Sequence, residues 1–123
     1  MNDNVIRDKF MAFAIRIVQL YQYLKGQKKE YVLSKQLLKS GTSIGANIVE
    51  ALDAVSRNDF LNKMGISLKE CSESLYWIEL LYRTDYLTRS QYDSIHADCQ
   101  ELRRILASIN KTMKDCRKPR GSG

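Results

Sequence analysis

The sequence predicts an all-α protein folded as an antiparallel up-down-up-down four-helix bundle. Three observations carry this prediction. The 123 residues include one proline, Pro119, and six glycines, so little interrupts a helix. Four segments place apolar residues at steps of three and four, the period of one helix face. Short polar connectors separate them, and no segment reads as a strand. A chain of this length makes one domain with a single core. The bundle is expected over 1–115, and the basic, aperiodic stretch 116–123 is expected to be a disordered tail. No repeat recurs at a period of 20–50 residues, which argues against a solenoid.

The first helix is expected over 3–25. Ile6, Phe10, Phe13, Ile17, Leu20 and Leu24 form its seam, Asp3 is an N-cap or first-turn acid, and Gly26 is its stop. A second row, Met11, Ala14, Val18 and Tyr21, lies on another side and suggests a further contact, with a second subunit. The second helix is expected from Glu30 to Ala54. Leu37, Gly41, Ile44, Ile48, Ala51 and Val55 share its apolar face. Ser40, Ser43, Asn47 and Glu50 form a polar stripe beside that face, expected to pair with a neighbouring helix or subunit. Gly41 and Gly45 each cost about 1 kcal/mol against alanine in a helix, which a close approach of another helix can offset.

Ser56 reads as the cap of a third helix over Arg57–Tyr82, with Asp59 three residues on. Leu61, Met64, Leu68, Cys71, Leu75, Ile78 and Tyr82 make its seam. Ile66, Tyr76, Trp77, Leu80 and Leu81 lie outside it. Apolar surface on several sides of one helix marks an interface, and Tyr76, Trp77 and Leu80 are its candidates. Thr88 reads as the cap of a fourth helix over Arg89–Lys114, with Tyr92, Ile95, Cys99, Leu102, Leu106, Ile109 and Met113 in its seam.

Composition narrows the functional classes. With 44% apolar and 28% charged residues, chain-wide disorder is excluded. No window has the roughly 18 apolar residues of a membrane span, and no signal-peptide core opens the chain. Cys71, Cys99 and Cys116 form no CxxC pair, the usage of a reducing compartment, so a cytoplasmic location is expected.

Candidate chemistry is sparse. His96 is alone, and no Glu-x-x-His pair occurs, so no di-iron or zinc site is expected. Glu50, Glu70 and Glu73 could hold a hard cation or do acid–base work, or could pair with Lys63, Lys69 or Arg57. No nucleophile or oriented base accompanies them. The Ser40–Asn47 cluster lacks a Gly-x-Ser-x-Gly elbow, and the Ser-Gly-Thr-Ser-Ile-Gly run lacks the ending of a phosphate loop. No enzymatic activity, cofactor or metal is therefore expected. The net charge of +6 favours acidic partners. Lys28, Lys29, Lys35, Lys39, Arg103 and Arg104 are the candidate phosphate contacts, and no zinc finger, RNA-recognition motif or helix-turn-helix signature supports sequence-specific readout.

Gln36-Leu37, Ser40-Gly41-Thr42-Ser43-Ile44 and Gly45-Ala46-Asn47-Ile48-Val49-Glu50 together resemble the signature of the 23S ribosomal RNA intervening-sequence protein family. That signature reads Gln-Leu, Ser-x-x-Ser-Ile, Ala/Ser-Asn-Ile and Glu. Phe60, the run Leu68 to Glu73 and the pair Tyr86-Leu87 extend the likeness over about 8–114. Ala51 departs from it where many members have Gly, and Gly45 where many have Pro. The resemblance implies a bundle that assembles into a ring-shaped homopentamer. Some members are encoded within insertions in ribosomal RNA genes. A related branch serves diversity-generating retroelements and binds their reverse transcriptase and nucleic acid. For most members no activity is assigned.

The expected function is a non-enzymatic oligomeric scaffold that binds RNA, DNA or a nucleic-acid enzyme through basic surface. The alternatives are a protein-interaction module whose charge serves solubility and, third, a carboxylate metal enzyme.

Overall fold

The protein is described here by a computed structural model covering residues 2–117. Of the tail expected over 116–123, residues 118–123 lie outside the described residues, and Cys116 and Arg117 belong instead to the last helix. Four helices follow one another: α1 (Asp3–Gly26), α2 (Leu33–Leu52), α3 (Arg57–Arg83) and α4 (Arg89–Arg117). Each packs on its sequence neighbours, and α1 also meets α4, so α1/α3 and α2/α4 are the diagonal pairs. This is the four-helix bundle that the apolar periodicity predicts.

The helix ends show which local signals the chain uses. Asn2, rather than Asp3, caps α1: its side-chain oxygen accepts the Val5 N–H at 2.9 Å, and Asp3 is the first-turn acid. The Ser56 hydroxyl accepts the Asp59 N–H at 3.0 Å. Thr88 and Gln91 cap α4 reciprocally. The Thr88 hydroxyl accepts the Gln91 N–H at 3.1 Å, and the Gln91 side chain accepts the Thr88 N–H at 2.9 Å. At the end of α3, Asp85 takes φ 70°. The Tyr86 N–H then donates to the Leu81 carbonyl at 2.9 Å and the Asp85 N–H to Tyr82 at 3.0 Å, a Schellman closure.

α2 starts later than expected, at Leu33 instead of Glu30. Lys29 takes φ 56° and turns the chain. Glu30 is buried at 7% exposure and folds its carboxylate over the helix start. It accepts the N–H groups of Val32 and Leu33 at 3.1 Å each and of Ser34 at 2.6 Å. Three otherwise orphaned donors are thereby satisfied, a task the side chain of Val32 cannot perform. Burial pushes the Glu30 carboxyl up, but the bonds from Ser34, Val32 and Leu33 outweigh it and hold the group below the usual carboxylate range. α2 also ends two residues early, at Leu52. Val55, expected in the core, lies in the connector at 95% exposure because the helix face no longer carries it inward.

The core follows the expected seams of α1 and α4 closely: Ile6, Phe10, Phe13, Ile17 and Leu24 meet Ile95, Cys99, Leu102 and Leu106. On α3 the inward stripe is rotated. Met64, Ser67, Cys71, Ser74, Ile78 and Leu81 are buried, while Leu61, Leu68, Leu75 and Tyr82 are only partly so. Leu81, read from the sequence as outside the seam, is a core residue. The physical reason is hydrogen bonding across the helix pair. Ser67 and Ser74 reach the Ile44 carbonyl and Ser40 of α2, and this turns their stripe, with Cys71, Ile78 and Leu81, inward while the leucines flank it.

Candidate functional site

The polar stripe on α2 divides into members that bond across to α3 and members that bond along their own helix. Ser40 is buried, and the Ser74 hydroxyl donates to its oxygen at 2.9 Å. Glu50 is exposed and meets Lys63 of α3 at 3.3 Å. Ser43 instead donates to the Lys39 carbonyl at 2.7 Å, and the Asn47 amide donates to the Ser43 carbonyl at 2.8 Å. Of the stripe expected to pair with a neighbouring helix or subunit, Ser40 and Glu50 make the contact to a neighbouring helix. Ser67, absent from the sequence reading, supplies a further crossing bond to the Ile44 carbonyl at 2.8 Å. It lies outside the seam read from the sequence, and an apolar template does not count a serine.

The carboxylates do not converge. Glu50 is engaged with Lys63, and no group of three or more His, Cys, Asp or Glu among the described residues is placed to hold a metal ion. His96 lies half-buried against the Tyr92 ring, with centroids 4.9 Å apart, and Tyr92 stacks on Tyr82 at 4.4 Å.

The six basic candidates fall on two separate surfaces. Lys28 and Lys29 lie in the α1–α2 connector, and Lys35 and Lys39 follow on the first two turns of α2. All four are exposed, and none has a carboxylate within ion-pair distance among the described residues. Arg103 and Arg104 lie on α4, diagonal to α2 and about 20 Å along the axis from the start of α4. The Nε of Arg103 donates to the Ser72 hydroxyl at 3.2 Å. A single basic face joining all six does not form, because the bundle sends α2 and α4 to opposite corners.

The interface candidates on α3 are also unequal. Tyr76 is 61% exposed and sets its ring edge-to-face on Trp77, 5.0 Å away. Trp77 packs partly into the chain's own core, its buried Nε1 without a hydrogen-bond partner among the described residues, and Leu80 is half-buried. A larger apolar surface lies on the diagonal helix. Met11, Ile15 and Val18 line the outside of α1, and a groove of about 220 Å³ beside Met11 continues it to Gly45 and Val49 of α2. Met11 and Val18 belong to the second row seen in the sequence; Ile15 was missed. Another cavity among the described residues, about 530 Å³, is lined by Asp3 and Ile6 of α1, by Ile48, Leu52, Phe60 and Met64, and by Arg104 and Ile105 of α4.

No helix among the described residues is long and apolar enough to cross a membrane. The motif on α2 and the bundle around it match a known family model, that of the 23S rRNA-intervening sequence protein, over residues 2–108. The chain belongs to this family. A comparison with curated proteins finds no match. Among solved structures, the chain is similar to a protein of unknown function from the S23 ribosomal protein family of Bacteroides thetaiotaomicron VPI-5482. The two are 58% identical, and the likeness covers 90% of this chain and 99% of that one, with a TM-score of 0.88. The departures at Gly45 and Ala51 leave the family's helix intact: both residues lie inside α2.

Proposed function

We propose that this family member is a non-enzymatic, cytoplasmic, oligomeric scaffold that binds nucleic acid, or an enzyme acting on nucleic acid, through the α1–α2 end of the bundle. The observation that supports this reading most is the group Lys28, Lys29, Lys35 and Lys39. These are four exposed cations within twelve positions, free of carboxylate partners among the described residues. Such a group neutralises phosphates by counterion release and reads no base sequence. Arg103 and Arg104 form a second, weaker contact on another side.

The oligomer rests on two unlike apolar patches carried by diagonal helices, the α1 row of Met11, Ile15 and Val18 and the α3 surface at Tyr76. A patch that meets a different patch on the next copy generates a ring when the rotation closes. A homopentamer is the ring proposed here, with Trp77 and Leu80 covered alongside Tyr76.

Fluorescence anisotropy with a structured RNA and a DNA duplex tests the binding. Affinity is expected to fall steeply with salt, and charge reversal of the four lysines to abolish it, while Arg103→Glu with Arg104→Glu weakens it less. Absence of a complex at low salt would leave the protein-interaction module as the surviving reading. Light scattering tests assembly, and a solution mass of 14.2 kDa, that of one chain, would refute it.

A further inference from the structure

Cys71 on α3 and Cys99 on α4 face one another in the core, both at 0% exposure. Their sulfurs are 3.7 Å apart. Each sulfur also reaches the other residue's backbone: Cys71 Sγ lies 3.3 Å from the Cys99 carbonyl oxygen, and Cys99 Sγ 3.6 Å from that of Cys71. These crossed distances place each sulfur against the other residue's backbone, so the two thiols meet side by side across the α3–α4 contact. We propose that Cys71 and Cys99 form a reversible disulfide that staples α3 to α4.

Nothing in the scaffold reading uses these thiols. Packing alone asks only for a small apolar side chain at each position, which alanine also supplies. Two sulfurs turned toward each other across the seam offer a reaction that neither residue offers alone. A metal ion is a poorer occupant. Two thiolates on a soft monovalent cation would leave a net negative charge in an apolar core, whereas the disulfide is neutral.

The chemistry balances with peroxide as the oxidant. The Cys71 thiolate attacks one oxygen of hydrogen peroxide, and the O–O bond breaks. Cys71 becomes a sulfenic acid, and the departing hydroxide takes a proton to become water. The Cys99 sulfur then attacks the Cys71 sulfur. The S–S bond forms, the S–O bond breaks, and the hydroxyl leaves with the Cys99 proton as a second water. Two thiols are oxidised and one peroxide is reduced. Peroxide is little larger than water and enters through local opening of the α3–α4 seam.

The two thiols differ in the direction of their shifts. The bond from Cys99 holds the Cys71 thiol below the usual range against the opposing effect of burial, and the charge of Arg103 adds to this. The Cys99 thiol is pushed up by that same bond and by burial.

The test treats the folded full-length chain carrying Cys116→Ser with hydrogen peroxide, then unfolds it in an alkylating reagent. The expected result is an intact mass lower by two hydrogens, no alkylation, and one peptide pair joined through Cys71 and Cys99. The bond closes a loop between residues 28 positions apart, so the oxidised protein should melt roughly 10 °C higher and return to its starting Tm with dithiothreitol. Alkylation of both cysteines after peroxide exposure would overturn the proposal. So would their conversion to sulfinic acids without a joined peptide. Because the readout uses a chain with both core thiols intact, it does not depend on a core variant that folds.

Discussion

The α2 helix and the α1–α4 seam hold the same bundle together by opposite means. α2 approaches its neighbours on small residues. Gly41 lies so close to α1 that a methyl group added there would come within 2.9 Å of both Cγ atoms of Ile17. On its other flank, Ser40 and the Ile44 carbonyl take hydroxyls from Ser74 and Ser67 of α3. The α1–α4 seam is the loosest of the four contacts, and long charged side chains span it. Lys9 reaches Glu101 at 2.5 Å, and Arg16 reaches both Asp98 and the Ser94 hydroxyl. The close contact is dry and steric, so its cost under mutation is high. The wide one is bridged by partly exposed ion pairs, so it is cheap to lose and sensitive to salt.

The largest expected effect comes from closing the gap at α2. Gly41→Ala should destabilise the fold by roughly 1–3 kcal/mol, because Ile17 is fully buried and branched at Cβ and has little room to yield. Gly45→Ala should do the reverse. Its added methyl meets the Phe10 carbonyl oxygen at an ordinary 3.5 Å, and the gain in helix propensity is up to about 1 kcal/mol. Urea unfolding of the two variants reads the difference directly; equal midpoints would show that α2 does not approach α1 as described.

Next is the start of α2. Glu30→Gln should cost about 1 kcal/mol at neutral pH, since one amide oxygen replaces two carboxylate oxygens and its NH₂ is turned toward a backbone donor. Glu30 is held below its ordinary value of 4.5, so its stabilisation is complete above that pH and disappears as pH falls through the lowered folded value. The gap between wild type and variant should therefore close on acidification below pH 4.5, followed by circular dichroism. A gap that persists unchanged into strong acid would exclude the carboxylate cap.

The smallest effect belongs to the charged seam. A double-mutant cycle on Arg16 and Asp98, both substantially exposed, should give a coupling of no more than about 1 kcal/mol. That coupling should vanish near 1 M salt, where the Debye length is about 3 Å. A larger, salt-independent value would mean the seam is as closely sealed as α2 and would erase the contrast.

The sequence by itself determined four helices, their order and most of the residues that face inward, because a step of three or four is a property of the chain alone. Ser56 and Thr88 were legible as caps for the same reason: their partners lie three residues away. The α2 motif also identified the family before any contact was known. Tertiary structure decided the rest. It turned Ser67 and Ser74 of α3 into the core, since their hydrogen-bond partners lie on α2. It released Val55 to solvent, since α2 ends at Leu52, and made Glu30 a cap, since the chain turns at Lys29. It also parted Lys28, Lys29, Lys35 and Lys39 from Arg103 and Arg104, and brought Cys71 against Cys99. Those pairings are set by which corners of the bundle α2, α3 and α4 occupy, and periodicity along one helix carries no information about a corner.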